Sequence, residues 1–357
     1  MIGSAVQLGL LAALIVILVP IMLAGWHLSR HKLLFFSGAL FVALAVAVHL
    51  SPYFPSLPDY LPNSKITPLI ENRDSCLDLM NRIEWDVYGG DVGKSRVLSW
   101  RWDHDVGNCG FQRLKRGNVG ELLNGSWVVV AGDSQARLFA VSLLGLVLGE
   151  AEMGAVRGDL FKRHSDYGIV VDGVGMRLDF IWAPYEGNLT EVVAELTRNG
   201  SCPDVLVMGS GLWHMLHVTN SVDYGVSLGA LSDSVMSLLV PGSPDAVDGG
   251  GSGAVCARSQ PHLFWLGMPM LINSMLNTEE KREKMSNVTR DAYDWRVRQS
   301  KLLRQSNGPF LMLDVRDLSK NCGVHCTEDG MHYYGIIYEA AVQIMLNALL
   351  IQSRQKL

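Results

Sequence analysis

Three residues at two distant positions of the chain have the types that serine acyl chemistry requires. Ser134 lies in GDSQAR, and Asp329 and His332 lie in DGMH near the end of the chain. A serine hydroxyl becomes a nucleophile when a histidine removes its proton and a carboxylate orients that histidine. On one tight loop, an Asp can hold one ring nitrogen while the other faces a serine. The sequence predicts Ser134 as nucleophile, His332 as general base and acid, and Asp329 as the orienting carboxylate.

Each motif also has a plainer interpretation. GDS alone is typical of a helix N-cap, and Asp329 with His332 can be an N-cap beside a surface histidine. Their positions at the two ends of one domain favour the catalytic interpretation. A separation of more than a few hydrogen-bond lengths between Ser134 and His332 would exclude it.

The residues around Ser134 predict a strand-to-helix turn. Val128, Val129 and Val130 favour a buried strand, and residues 135–149 have the length and apolar content of a helix. Backbone N–H groups at a helix N-terminus point toward a reacting centre, and Gly132 allows the backbone to approach it closely.

Strands and helices alternate after residue 125. The strand candidates are residues 127–131, 179–182, 204–208, 262–267 and 310–314, and the helix candidates are 135–149, 189–199, 228–239, 279–305 and 335–352. This alternation predicts an α/β domain over 126–357, with a parallel sheet flanked by helices. Ligands of such sheets bind at the carboxyl ends of strands, where Ser134 would lie. Residues 241–260, rich in Gly, Ser and Pro, predict a flexible insertion.

The first fifty residues predict a membrane anchor. Residues 2–26 contain no charged side chain and are long enough to span the roughly 30 Å hydrocarbon core, and 33–50 form a second apolar run. Arg30 and Lys32, the only Lys or Arg in this segment, favour a cytoplasmic hinge in a two-span hairpin, with the rest of the chain lumenal. A single bent anchor is the alternative, and a cleaved signal peptide is disfavoured because the segment lacks a basic start.

Two segments link the anchor to the α/β domain. Residues 51–64 are rich in Pro and Ser and predict a stalk. Residues 65–125 show few periodic segments but contain Trp85, Trp100 and Trp102. We expect an irregular lobe, tied by disulfides and packed onto the main domain.

Cysteines and glycosylation sequons agree with a lumenal domain. Six cysteines follow the spans, an even number that favours disulfides in an oxidising compartment, with the pairing left open: Cys76, Cys109, Cys202, Cys256, Cys322 and Cys326. Cys322 and Cys326 with His325 could bind metal, but no second ligand pair has zinc-like spacing, so no metal site is predicted. Sequons occur at Asn124, Asn188, Asn199 and Asn287, and Asn124 abuts the predicted buried strand.

The charge disfavours nucleic acid as a partner. The formal charge is −5, and since the first fifty residues contribute +2, the rest of the chain carries −7. Nucleic-acid binding needs a basic surface.

The order of these motifs resembles a known family. GDS, then VMGSGLWHM, then D-x-x-H is similar to the GDSL/SGNH acyl-transfer fold, and more narrowly to the trichome-birefringence-like plant polysaccharide O-acetyltransferases and their PC-esterase relatives. Arg137 in GDSQAR, residues 100–114 (WRWDHDVGNCGFQRL) and the segment from Cys76 carry the narrower resemblance. It extends from about Cys76 to the C-terminus.

The resemblance implies the same triad and a set of binding residues. Broad SGNH enzymes use an Asn in the central block for the oxyanion hole, whereas here Gly209 and Gly211 flank a serine. We therefore expect the N–H of Ser134 and a backbone amide near Gly209 or Gly211 as donors, with Gly175 a weaker candidate. Further candidates each have a structural alternative: Arg137 could bind a donor or acceptor or form a buried ion pair, His214 could contact substrate or pack internally, and Trp100, Trp102 and Trp213 could stack on sugar rings or pack in the core.

The implied function is a Golgi-membrane O-acetyltransferase with a lumenal catalytic domain. An acetyl-serine intermediate would pass its acetyl group to hydroxyls of a cell-wall polysaccharide such as xyloglucan or xylan. No bound cofactor is expected, and the acetyl donor, acetyl-CoA or an acetylated intermediate, is a co-substrate. Since the spans lack polar residues for a transport path, a multi-span transporter is an expected partner, or the chain acts as an acetyl carrier. The alternatives are an acetyl esterase with the same triad and a non-catalytic carbohydrate-binding or scaffold protein.

Overall fold

The computed structural model describes residues 73–88, 97–162, 164–239, 256 and 260–353. The strands are β1 (Ile83–Tyr88), β2 (Val97–Trp102), β3 (Trp127–Gly132), β4 (Tyr167–Val171), β5 (Met176–Trp182), β6 (Val205–Gly209), β7 (His262–Leu266) and β8 (Leu311–Leu313). The helices are α1 (Arg73–Leu79), α2 (Arg116–Leu122), α3 (Ser134–Val147), α4 (Glu150–Leu160), α5 (Glu186–Arg198), α6 (Leu212–His217), α7 (Ser221–Leu239), α8 (Glu279–Lys284), α9 (Asn287–Gln299), α10 (Val315–Cys322) and α11 (Gly335–Ser353).

A six-stranded sheet has the order β4-β5-β3-β6-β7-β8. Every pair from β5 to β8 is parallel, and β4 joins β5 as an antiparallel edge strand. The first parallel strand, β3, lies between the second and third, β5 and β6. In doubly wound sheets, the carboxyl ends beside such a first strand form the crevice in which ligands bind.

Alternate residues of β3 face two separate hydrophobic layers, as the two-residue period of a strand requires. Val128 and Val130 pack with α3, α4, α10 and α11. Val129 and Ala131 pack with α5, α7 and α9. All four side chains are fully buried, which explains the uninterrupted apolar sequence of this strand.

Helix α11 is the long central helix of the first layer. Among the described residues, Gly335–Gln352 has the length and apolar composition of a membrane span, and 78 % of it is buried inside the protein. Gln343 and Asn347 on this helix hydrogen-bond the backbone of Leu114 and Gln112. These bonds join α11 to the segment that leads into α2.

The segment before β3 is more regular than its sequence predicts. Helix α1 precedes an antiparallel hairpin of β1 and β2, whose register pairs Ile83 with Trp102. The Asn81 side chain donates to the Met312 carbonyl and accepts from the Asp314 N–H at the end of β8. The hairpin register and these contacts involve partners distant in sequence, so helical or strand periodicity did not reveal them.

The predicted elements of the α/β domain are found with changes of up to three residues at their ends, except that α7 begins at Ser221, seven residues before the predicted start. The predicted helix 279–305 is wrong as one element, because it divides into α8 and α9 at Met285 and Ser286, where Ser286 caps α9. Strand β4 and helices α4, α6 and α10 were missed. The predicted spans at 2–26 and 33–50 and the stalk at 51–64 lie outside the described residues, as does the 241–260 insertion apart from Cys256 and residue 260.

Candidate active site

Ser134 is the first residue of α3, directly after the carboxyl end of β3. Asp133 caps the helix, and its carboxylate accepts the N–H of Gln135 at 2.9 Å. A Cβ on Gly132 would collide with the Gly209 carbonyl and lie 2.8 Å from the Ala136 Cβ. The glycine therefore lets β3 and β6 converge beneath the nucleophile.

The loop that carries Asp329 and His332 is closed by its own hydrogen bonds. The Asp329 Oδ1 accepts the N–H groups of Met331 at 2.9 Å and His332 at 2.7 Å. The Thr327 hydroxyl donates to the His332 carbonyl at 2.7 Å and accepts the Gly330 N–H at 3.0 Å. These bonds lie within the loop and hold its shape independently of its contact with α3.

The structure brings the three predicted catalytic residues together. The Ser134 Oγ lies 2.8 Å from the His332 Nε2, and the His332 Nδ1 lies 2.7 Å from the Asp329 Oδ2. A carboxylate only accepts, so Nδ1–H donates to Asp329, and in the neutral imidazole Nε2 accepts the serine proton. This is the arrangement in which histidine can deprotonate serine.

The surroundings keep Asp329 ionised. Burial alone would raise its pKa, but hydrogen bonds from the backbone and ring of His332 and from the Met331 backbone lower the pKa overall. An ionised Asp329 can stabilise the imidazolium that forms when His332 takes the serine proton. Asp133 behaves oppositely, because burial raises its pKa to about 6.

Gln135 links α3 to the Asp329 loop, a role that the sequence analysis missed. Its Nε2 donates to the Met331 carbonyl at 3.3 Å, and its Oε1 accepts the hydroxyl of Tyr338 on α11. Gln135 and Tyr338 are buried. A glutamine inside GDSQAR gives no signal of such a contact, because its partners lie about 200 residues away.

The predicted oxyanion donors divide between the two edges of the sheet. Ser134 begins α3, so its N–H has no acceptor within the helix. Gly209 pairs with Gly132, and Gly211 caps α6 with φ +125°, both at the carboxyl edge. Gly175 precedes β5, whose start aligns with the start of β3, so it lies at the opposite edge. The weaker prediction for Gly175 was therefore wrong.

Arg137 forms no ion pair within the described part of the chain. It is 8 % exposed, and its Nε and Nη2 have no hydrogen-bond partner among the described residues. The guanidinium lies 4.7 Å from the Trp182 ring centroid and 5.4 Å from that of Phe180. Burial lowers its pKa. The alternative of a buried ion pair was wrong, because Asp133 acts on the guanidinium only as a nearby charge and aromatic rings surround the cation.

His214 is held inside the second layer. Its Nδ1 accepts the Tyr293 hydroxyl at 2.8 Å, and its Nε2–H donates to Asp223 at 3.2 Å. Both ring nitrogens are therefore occupied by protein groups, and the side chain is buried. This geometry favours the packing role over substrate contact.

The predicted tryptophans lie in different parts of the molecule. Trp213 is the second residue of α6 and lies close to Gly211 at the carboxyl edge of the sheet. Trp102 lies in the β1–β2 hairpin, where its indole donates to the Met80 carbonyl and its ring packs against Trp100 and Phe111. Trp100 is buried, which supports core packing over sugar stacking for this residue.

The six cysteines form three disulfides: Cys76–Cys109, Cys202–Cys256 and Cys322–Cys326. Within the described ranges, no group of three or more His, Cys, Asp or Glu side chains could hold a metal ion. Among the predicted glycosylation sites, Asn199 and Asn287 are exposed and Asn188 is half-buried.

A parallel sheet flanked by helices, with a Ser-His-Asp arrangement at its carboxyl edge, defines an SGNH-like protein. The chain is 52 % identical over 370 residues to Protein ALTERED XYLOGLUCAN 9 of Arabidopsis thaliana, covering 99 % of this chain and 100 % of the relative. The chain belongs to the trichome-birefringence-like family, as its motifs predicted.

Two other comparisons add little. A scan of the chain against models of protein families finds no match. A solved structure of a catalytic mutant of Axe2, an acetylxylan esterase from Geobacillus stearothermophilus, aligns with 67 % of this chain and 96 % of its own, at 14 % identity and a TM-score of 0.35.

Proposed function

We propose that this chain is a polysaccharide acetyl-modifying enzyme, and specifically an O-acetyltransferase that works through an acetyl-serine. The observation that carries the proposal is the pair of hydrogen bonds that links Ser134 to His332 and His332 to Asp329. A serine held this way is activated for attack on a carbonyl carbon.

The first half of the reaction loads the enzyme. The Ser134 Oγ attacks the acetyl carbonyl of the donor while the His332 Nε2 takes the hydroxyl proton. Backbone N–H groups of Ser134 and near Gly209 or Gly211 stabilise the oxyanion. When the intermediate collapses, the bond to the donor breaks, and His332 returns the proton to the leaving group.

The second half transfers the acetyl group. A sugar hydroxyl gives its proton to His332 and attacks the acetyl-serine carbonyl. The ester bond to Ser134 breaks, and the proton returns to the Ser134 Oγ. One acetyl group has then moved from donor to sugar with no net change in the enzyme.

The acceptor in this proposal is a cell-wall polysaccharide such as xyloglucan or xylan. The name of the Arabidopsis relative, ALTERED XYLOGLUCAN 9, supports xyloglucan, since that relative matches the full chain at 52 % identity. No nucleic-acid partner is proposed, because the part of the chain after residue 50 is acidic.

The proposal places the enzyme in the Golgi membrane with its catalytic domain in the lumen. The apolar sequence at 2–26 and 33–50 and the three disulfides support this topology. The donor is acetyl-CoA or an acetylated intermediate. Because acetyl-CoA is made in the cytosol, a multi-span membrane protein that delivers acetyl groups is the proposed partner, and a role as acetyl carrier is the related alternative.

An acetyl esterase with the same triad is the second candidate, and one observation favours it. The side chains of His332 and Asp329 are 37 % and 38 % exposed. Water can therefore reach the base, and hydrolysis of the acetyl-serine competes with transfer unless the bound acceptor excludes water.

The test incubates the full chain, produced in a secretory host, with an acetyl donor and unacetylated xyloglucan or xylan oligosaccharides. Mass spectrometry should detect acetyl gain that disappears in Ser134→Ala. Acetyl loss from pre-acetylated sugars without gain would identify an esterase. No change that depends on Ser134 in either direction would contradict catalysis and favour the carrier or scaffold alternative.

A further inference from the structure

Five aromatic side chains form a continuous cluster at the catalytic edge, here named the aromatic ledge: His164, Trp182, Tyr185, Trp213 and His217. The His164 ring stacks on Trp182 at a centroid distance of 4.8 Å, and Trp182 meets Trp213 edge-on at 5.6 Å. Tyr185 and His217 contact Trp213 at 6.2 Å and 5.1 Å. These distances are those of aromatic rings in direct contact.

The sheet register places the ledge beside the nucleophile. Trp182 pairs with Gly132, two residues before Ser134, and Gly132 also pairs with Gly209. Trp213 follows Gly209 by four residues. Trp182 therefore comes from β5 and Trp213 from α6, the helix that follows β6. Because β5 and β6 lie on either side of β3, the two rings meet at the carboxyl end of β3.

The ledge lies at the surface, with Trp182 packed against the core of the first layer. His164 and His217 are exposed, while Trp182, Tyr185 and Trp213 are half-buried. His164 also holds a left-handed backbone conformation, with φ +52°. A non-glycine residue in this conformation is uncommon and tends to occur at functional sites.

Arg137 supplies a polar group against the ledge. Its guanidinium lies over the Trp182 ring, and its unpartnered nitrogens contrast with the rule that buried polar groups are hydrogen-bonded. Nε and Nη2 are themselves buried, so an acceptor on a ligand can reach the guanidinium only where the side chain keeps its 8 % exposure. Arg137 is one helical turn from Ser134, so such an acceptor would lie near the reacting centre.

The surrounding charges favour a neutral ligand over a polyphosphate. The exposed Asp166 carboxylate accepts the backbone N–H of Trp182 at 2.7 Å, whereas the Glu280 carboxylate near His217 is paired with Lys284 at 2.7 Å. The Asp166 carboxylate beside the ledge repels the phosphates of an acyl-CoA, whereas a sugar ring presents uncharged C–H groups to aromatic faces and hydroxyls to a guanidinium.

We infer that the aromatic ledge is the acceptor subsite, on which a ring of a neutral oligosaccharide stacks against Trp182 and Trp213 while one of its hydroxyls accepts a hydrogen bond from Arg137. The inference deepens the proposed function, because it names the residues that hold the acceptor. Sugar binding at the ledge does not depend on the chemistry at Ser134, so the two can be tested separately.

The test measures binding in the absence of turnover. The full chain carrying Ser134→Ala is titrated with unacetylated xyloglucan and xylan oligosaccharides, and Kd is followed by calorimetry and saturation-transfer NMR. Trp182→Leu and Trp213→Ala should each raise Kd roughly three- to tenfold, the size expected for one lost aromatic contact. Arg137→Lys, which keeps the charge but loses the planar fork, should also raise Kd.

Trp295→Ala is the matched control. Trp295 is 52 % exposed on α9, and its ring lies against Arg296 and not in the ledge. This variant should bind like the parent, and unchanged circular dichroism and Tm in all variants separate lost binding from lost folding. If a ledge variant unfolds, Trp213→Phe is used instead, with a smaller rise in Kd.

The outcomes distinguish a failure of the ledge inference from a failure of the proposed acetyl-transfer function. Folded ledge variants with the parent Kd would overturn the inference, while acetyl transfer that depends on Ser134 would leave the proposed function standing. Ledge-dependent sugar binding without acetyl transfer would support the inference and contradict the transferase. CoA that displaces the oligosaccharide and loses affinity in the ledge variants would assign the surface to the donor and overturn the inference.

Discussion

The Ser134 Oγ lies 2.8 Å from the His332 Nε2, although 198 residues separate them in sequence. Two separate structural elements produce this contact. The strand-to-helix turn after β3 presents the serine, and a loop closed by Asp329 and Thr327 presents the histidine. The contact therefore depends on how α3 and the loop are joined, as well as on the three catalytic side chains.

Substitution of a triad residue should cause a large loss of catalytic activity. Ser134→Ala should abolish Ser134-dependent acetyl transfer or hydrolysis, and Asp329→Asn should lower kcat roughly 10³–10⁴-fold by leaving His332 in the wrong tautomer. Steady-state kinetics with an acetyl ester measure both.

Glu328→Gln controls for the loss of a carboxylate from this loop. Glu328 is exposed, and the Tyr334 hydroxyl donates a long hydrogen bond of 3.4 Å to its carboxylate. The kcat of the Glu328→Gln variant should equal that of the parent. Equal losses in Glu328→Gln and Asp329→Asn would show that the loop tolerates neither change and that Asp329 has no special role.

Gln135 is expected to position the loop, and Gln135→Met tests this. The variant loses the bonds to Met331 and Tyr338, so α3 and the loop can separate slightly. A displacement of about 1 Å at the reacting groups lowers kcat roughly 100-fold, and the unpaired Met331 carbonyl costs about 1–3 kcal/mol of stability. KM should change little.

Tyr338→Phe separates stability from positioning. It removes the hydroxyl that donates to Gln135 but leaves the Gln135–Met331 bond, so it should cost about 1 kcal/mol while kcat stays near the parent value. Urea unfolding and kinetics of both variants are needed. A Gln135→Met protein that is destabilised yet fully active would make Gln135 a purely structural residue.

Much of the fold follows from local sequence signals. The run Val128–Val130, the apolar helix after Ser134 and the regular alternation beyond residue 125 require burial on both sides of a parallel sheet. The short spacing of Asp329 and His332 indicated a loop on which both could act together. These signals are local because periodicity and turn chemistry act over a few residues.

The features that the sequence did not reveal depend on partners far apart in the chain. Gln135 is a positioning candidate only because Met331 and Tyr338 reach it. Trp182 closes a predicted strand at the same edge as Ser134, so the edge rule could have identified it as a candidate, but its contact with Trp213 needed the structure. The absence of a salt-bridge contact to Arg137 in the described ranges likewise follows from packing and not from helical spacing.

Gly330 is expected to be essential to the shape of the Asp329 loop. Its φ is +74°, and a Cβ there would lie 2.6 Å from the Ile272 carbonyl and 2.8 Å from the Met275 Cβ. Gly330→Ala should lower stability by about 2–4 kcal/mol, combining backbone strain with overpacking, and should lower kcat by displacing His332.

Gly323→Ala is the matched control, because Gly323 has φ +67° but no atom within 4 Å of an added Cβ. It should show the backbone strain alone, about 1–3 kcal/mol because a φ of +67° with a ψ of −150° is a conformation nearly confined to glycine, with kcat unchanged. Denaturant unfolding and kinetics compare the two. Equal effects at both glycines would mean that the collision with Ile272 and Met275 is relieved at no cost.

Because Glu186 is buried, we expect the folded protein to become less stable as the pH rises. This glutamate at the start of α5 is buried, and burial raises its pKa from 4.5 to about 7. The pKa of Glu186 is higher in the folded protein than in the unfolded chain. The free-energy cost of ionising this carboxyl in the folded protein is therefore absent below about pH 4.5 and grows until the pH passes about 7. A shift of this size corresponds to about 3 kcal/mol at pH 8. Glu186→Gln cannot ionise and should be more stable than the parent by about that amount at pH 8, and equal to it at pH 4.5.

The measurement is urea unfolding of the parent and Glu186→Gln between pH 4.5 and 8. Asp133 is present in both proteins, but its charge also raises the pKa of Glu186, so the difference reports Glu186 together with its interaction with Asp133. Glu195→Gln, on the exposed side of the same helix, controls for removing a charge from α5. A Glu186→Gln difference that stays constant across this pH range, or that matches Glu195→Gln, would mean that Glu186 reaches water in the folded protein and is not held in its uncharged form.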